Sequence, residues 1–154
     1  MNVTRGVIAG LLAGIPQVVL AQAAGFAMGR RDQADIGPRF IEHAEQHTAR
    51  SLSVPMRWAL AAVFHFEYAA GWGVAYALIV EAAGWRRVPP WLGGGLLTAV
   101  VYTAAFSAVG GATQTGTERP PERRDWRDTV VHCTAAGGFA FSTAYLYHWL
   151  RERW

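Results

Sequence analysis

No lysine occurs anywhere in the 154 residues, and all fourteen basic side chains are arginine. A net charge of +3 would suit a nucleic-acid surface only if the arginines were gathered into a basic stripe. Instead Arg30, Arg31, Arg57, Arg86, Arg87, Arg151 and Arg153 stand at the ends of apolar segments, where arginine anchors helices at lipid headgroups. No nucleic-acid partner is expected. The single cysteine, Cys133, excludes an internal disulfide and reads as a small core residue. Also absent are G-x-S-x-G, the P-loop, H-E-x-x-H and C-x-x-C, so no catalytic signature points to an enzyme.

What is present is apolar sequence in long runs, 52% of the chain, which is the membrane pattern. Four windows, 6–28, 58–80, 91–113 and 129–150, are long enough to cross a hydrocarbon core of roughly 30 Å as helices. None alternates with period two, so helices are expected and a barrel is not. The start imitates a signal peptide, with Arg5, an apolar run over 6–20 and Ala21-Gln22-Ala23. Pro16 and Gln17 interrupt that run, and it reads as the first membrane helix. The expectation is a single all-α domain, 1–154, built as a four-transmembrane-helix bundle of two hairpins.

The first connection is the longest polar segment. Within 36–52, Ile36, Phe40, Ile41, Ala44 and Leu52 recur near helical spacing among charged residues, which predicts a short amphipathic helix on the membrane surface. The second connection is short and ends in Pro89-Pro90, so helices 2 and 3 are expected to form a tight hairpin. The third, containing Pro120 and Pro121, falls on the same side as the amphipathic helix. The two longer loops hold nine arginines against five on the other side, which favours those loops in the cytoplasm. Eight acids nearly neutralise them, and orientation stays open.

Lipid supplies no hydrophobic drive for helix association, so small residues that admit close backbone approach form the usual interface. Gly6, Gly10 and Gly14 lie at four-residue spacing in helix 1, and Ala69, Gly73 and Ala77 in helix 2, with Gly71 and, in helix 4, Gly138 also assigned to helix packing. These stripes predict packing within the bundle, or homo-oligomerisation through helix 1. A shift of 67 positions superposes His65 on His132 and Gly71 on Gly138, a possible parallel repeat.

Ionisable groups inside the apolar windows are the candidate functional residues, because a charge near the bilayer centre costs about 2.5 kcal/mol or more. At 100° per residue, His65, Trp72 and Tyr76 share one face of helix 2, while Glu67 and Glu81 share the other. His65 and Glu67 therefore need separate partners: Gln17, Gln22, Tyr102, Thr103, His132 or a neighbouring subunit. A polar core of His65, Glu67, His132, Tyr76 and Gln17 would suit proton sensing or relay. No cofactor is expected, with two alternatives. His65 and His132 at equal depth would suit haem b, and His43 and His47, at i and i+4, have the spacing for a divalent metal.

The pattern of His65, Tyr68, Tyr76 and Glu81, then a short turn with Trp91, a Gly-rich third helix, a Pro120-Pro121 loop and a last helix running from near His132 into arginines, resembles the YagU-like family. These are small bacterial inner-membrane proteins of a domain of unknown function. The resemblance implies a multi-pass inner-membrane location, termini in the cytoplasm and a link to acid resistance, and brings no catalytic or cofactor residues. The loop carrying His43 and His47 departs from the family, so nothing is carried onto them. The expected function is acid or envelope homeostasis by proton-linked sensing or transport. The alternatives are an accessory subunit of a larger membrane complex or homo-oligomer, and a haem- or metal-binding membrane protein.

Overall fold

A computed structural model describes residues 3–31, 36–48 and 51–153. The described residues are helical with no strand: α1 (Val3–Met28), α2 (Ile36–Thr48), α3 (Val54–Ala82), α4 (Pro90–Phe106), the single turn α5 (Gly111–Gln114) and α6 (Trp126–Arg153). Local signals set the ends. Gly29, at φ 66°, closes α1, with Gly29 N–H bonded to the Phe26 carbonyl and Arg30 N–H to that of Gly25, the paired C-terminal motif that a left-handed glycine permits. Pro55 and Pro90 sit in the first turns of α3 and α4, where a missing N–H costs nothing. Asp125 accepts the Arg127 N–H at 3.0 Å and so caps the start of α6.

The helices are packed in the order α3, α1, α6, α4, each antiparallel to the next. Glycine makes the α1–α3 contact possible. A Cβ at Gly6 would lie 2.7 Å from the Gly73 carbonyl oxygen, and one at Gly10 would strike the Ala69 carbonyl. The glycines assigned to homo-oligomerisation through helix 1 are thus used within the chain. α6 is the most enclosed helix, burying Val131, Phe139, Ala140, Ala144 and Tyr147 together with the polar Asp128, His132, Thr143 and His148. Outward faces carry large apolar side chains, among them Ile15, Val19 and Phe26 of α1, Val63 of α3 and Val100 of α4, as expected of surfaces solvated by lipid.

Three stretches are long and apolar enough to cross a membrane: Val3–Met28, Val54–Ala82 and Pro90–Gln114. α6 has the length but not the composition, since it carries polar side chains such as His132, Thr143 and His148, which turn inward.

Several expectations are corrected. The third window, 91–113, is not one helix: α4 stops at Phe106, Ser107 is extended at ψ 173°, and α5 follows. The freed Phe106 carbonyl accepts from Arg124 Nη1 at 3.1 Å. The described part of the amphipathic helix is Ile36–Thr48; positions 49 and 50 of the expected 36–52 lie outside the described residues, and Ser51 and Leu52 are not helical. α3 and α4 are joined by a short turn through Gly84 at φ 66°, yet they do not pair along their length. They touch where Gly93 makes room for the Tyr76 hydroxyl, and beyond it α3 follows α1 while α4 follows α6. Cys133 is exposed on α6 and is not a core residue.

Gly10→Val should lower thermal stability in detergent by about 2 kcal/mol or more, because backbone would have to move. Gly71→Ala, whose Cβ would meet nothing within 4 Å, should stay within about 0.5 kcal/mol.

Candidate functional site

The site lies at the end of the bundle that carries α2. His132, in the second turn of α6, is fully buried and stacks on Phe106, with ring centroids 4.3 Å apart and planes within 2°. The Arg124 guanidinium that holds the Phe106 carbonyl also lies 5.7 Å over that ring. Behind α5, Gly116 at φ 76° turns the chain back, the Glu118 N–H bonds to the Ala112 carbonyl at 2.9 Å, and the Glu118 side chain is carried inward to 4% exposure.

One oxygen of Glu118 then faces both the Arg39 guanidinium and the His132 ring. Oε1 accepts from Arg39 Nη1 of α2 at 2.5 Å and lies 3.5 Å from His132 Nε2. The second distance is that of an ion pair rather than of a formed hydrogen bond, and neither His132 ring nitrogen makes one. Arg39 Nη2 also donates to the Thr117 carbonyl at 2.7 Å, so one guanidinium fastens α2 to the loop before α6. Burial pushes the Glu118 carboxyl up; the His132 ring and the Arg39 charge outweigh it and hold the carboxyl below its ordinary 4.5. Nearby, Arg30 ties the end of α1 to the start of α6 by pairing with Asp125 and, at 3.0 Å, with Asp128. The Arg127 N–H holds the Asp125 carboxyl below its usual range, assisted by Arg30.

His65 does not join His132. Its Nε2 donates to the Gly14 carbonyl of α1 at 3.0 Å, a carbonyl within reach because α1 approaches so closely. α3 and α6 run in the same direction, with Tyr76 beside Tyr147 and His148 and His65 lining the same cavity as Ala135 and Ala136. The register therefore differs from the shift of 67 by about a turn, and Gly71 faces open space while Gly138 receives Leu20. The two histidines face different partners, the Gly14 carbonyl and Glu118. Gln17 lines the cavity beside His65, and its Oε1 is buried without a partner. Glu67 is exposed on the outer face of α3, in a shallow groove with Leu11, Val63, Phe66 and Ala70.

Tyr76 belongs to a second polar cluster at the far end of the bundle. Its hydroxyl lies 3.4 Å from His148 Nε2, and Tyr147 donates to Glu81 Oε1 at 3.0 Å. Glu81 therefore turns toward α6 rather than sharing an outer face with Glu67. On α2, the His43 and His47 rings lie 4.3 Å apart, and His47 Nδ1 donates to the His43 carbonyl at 2.9 Å. Among the described residues no group of three or more His, Cys, Asp or Glu side chains is placed to hold a metal.

Sequence reasoning missed Arg39, Glu118 and Phe106. Arg39 and Glu118 stand in polar loops whose alternating charges read as solvated. The one available signal was a buried histidine opposite a loop on its own side of the membrane.

No family model, curated protein or solved structure matches the chain, so the resemblance to the YagU-like family rests on the residues that carry it.

Proposed function

We propose that the chain is a non-enzymatic, multi-pass protein of the bacterial plasma membrane that responds to protons, with α6 as a fourth span. Two belts of tryptophan support that span: Trp58 and Trp126 lie at one end of the bundle, Trp85 and Trp149 at the other. Trp126 and Trp149 are about 35 Å apart along α6, which brackets a hydrocarbon core. α1 and α4 flank α6 and shield its polar side chains from lipid.

The observation that carries the functional reading is the single Glu118 oxygen facing both Arg39 and His132. With His132 neutral, the carboxylate holds Arg39 and α2 stays fastened over the bundle. A proton on His132 makes it a charged donor beside the same oxygen. The carboxylate moves toward the ring, the Arg39 contact weakens, and α2 loosens. Histidine is the side chain whose charge ordinarily changes near neutral pH, which makes it the natural proton-responsive group here. Response to acid is also what the resemblance implies.

A second reading, as a subunit of a larger membrane assembly, is favoured by Glu67. A carboxyl group near the middle of α3 on a lipid-facing surface is costly unless another helix covers it, and Gly71, one turn on, leaves room for close approach.

Spin labels on α2 and on the 115–119 loop should move apart as pH falls from about 7.5 to about 5. His132→Gln should abolish that change, and Glu118→Gln should leave α2 loose at every pH. An unchanged distance in the wild-type protein would sink the proposal.

The Glu118 carboxyl is lowered in the fold, so its stabilisation is present above the ordinary 4.5 and disappears as pH falls through the folded value. Melting in detergent should therefore show an acid-side loss of stability below about pH 4.5 that Glu118→Gln reduces, while the variant loses about 1–3 kcal/mol at neutral pH through the donors left unsatisfied. For the assembly reading, single-molecule photobleaching in liposomes should show Glu67→Leu with fewer subunits per spot than wild type; equal counts would remove that reading.

A further inference from the structure

Beneath α2 two cavities meet at a common waist. The larger, about 300 Å³, lies between α2, α3, α4 and α6, and the smaller, about 230 Å³, opens on the side of α1 and α3. Both are lined by Ile36 and Gly37 of α2, by Gln17 and His65 at the waist, and by Ala135 of α6. The remaining wall of the larger lobe is mainly apolar, including Phe64, Val101 and Phe106. Phe40 of α2 stacks on Phe64 at 4.5 Å and closes its edge.

Three properties of this space select its occupant. Among the described residues no Asp, Glu, Lys or Arg lines either lobe, so an ionised ligand would find no opposite charge there to offset its desolvation. Walls of Phe, Val and Ala give water few partners, and such cavities accept apolar groups instead. The waist is polar: the Gln17 amide there can both donate and accept, and His65 adds an acceptor. Because His65 Nε2 donates to Gly14, the neutral ring carries its hydrogen there and keeps Nδ1 as an acceptor. We infer that the space beneath α2 binds a neutral, mainly apolar single-chain molecule bearing one hydrogen-bond donor, of the lipid-alcohol class, with its hydroxyl given to His65 Nδ1. At roughly 30 Å³ per chain atom, the liquid-water share, the larger lobe holds about ten such atoms. α2 is the roof of the site, and the opening beside α1 and α3 is the way in for a molecule drawn from the surrounding bilayer.

The site stands on its own lining residues and does not depend on His132 titrating. The test uses the full-length protein in lipid nanodiscs with two photoprobes: decan-1-ol carrying a diazirine in its chain, and the matching decane derivative without the hydroxyl. After photolysis, labelled residues are mapped by mass spectrometry. The expected result is labelling at Phe40, Phe64 or Tyr68 by the alcohol, competed by excess decan-1-ol and about tenfold weaker for the hydrocarbon, the worth of one hydrogen bond. His65→Phe should bring alcohol labelling down to the hydrocarbon level. Ala105→Phe, which fills the larger lobe and leaves His65 in place, should remove labelling by both probes. Labelling confined to lipid-facing residues such as Val19, Phe26 and Val100, or equal labelling of the cavity by the two probes, would overturn the inference. Loss of the α2 movement on acidification with labelling intact would count against the proton latch alone.

Discussion

The backbones of α1 and α3 meet at Gly6, Gly10 and Gly73 with no side chain between them, and much of the molecule follows from that contact. In lipid, where hydrophobic burial does not drive helices together, such closeness is how dispersion and backbone contacts accumulate. It brings the Gly14 carbonyl to His65, which fixes the ring and its tautomer. It also lets α1 present its other side to α6, so that one thin helix separates α3 from the most buried helix of the bundle. Larger residues at these positions would push α3 outward and take His65 away from both its acceptor and the cavity.

Around that seam the polar groups are sorted by depth. The ends of the bundle hold the paired charges: Arg30 with Asp125 and Asp128, Arg39 with Glu118, and Glu45 with Arg57 at 2.7 Å. Here desolvation is partial, and carboxylates keep their charge through backbone N–H groups and guanidinium partners, as at Glu45, where the Leu52 N–H leads and Arg57 assists. Deeper in, His65 rests on a backbone carbonyl, and at the far end Tyr147 donates to Glu81. His132 is the exception, a titratable ring wholly enclosed with a carboxylate beside it and neither ring nitrogen hydrogen-bonded. A group held so incompletely is poised to change its surroundings when its charge changes, and that is the physical basis of the proposed latch.

Helix positions were legible because hydropathy and small-residue spacing are local quantities. The windows 6–28, 58–80 and 129–150 each fall inside an observed helix, α1, α3 and α6, and the 36–52 pattern locates α2. The break at Phe106 was not legible. Ser107 to Gly110 are no more polar than the flanking turns, and the last carbonyl of α4 finds its partner in Arg124, eighteen residues away. The 100° period puts Tyr76 and Glu67 on opposite faces of α3, as observed, but the expectation that Glu67 joins the polar core is not met: Tyr76 is buried and Glu67 is exposed. The same period misplaced Glu81, because a long side chain near a helix end can reach round to a neighbouring hydroxyl.

The sequence by itself determined that the chain is helical, that its apolar runs are of membrane length, and that His65, His132, Glu67 and Gln17 are costly where they stand. These are properties of single segments and of the solvent around them. Only the tertiary structure decided what each polar group meets: His65 a backbone carbonyl, His132 a glutamate from a loop that sequence reads as solvated, Gln17 the wall of a cavity. Periodicity states which way a side chain points along its own helix, but partners are set by which helices are neighbours and in what register, and that follows from the fit of glycine against backbone across the bundle.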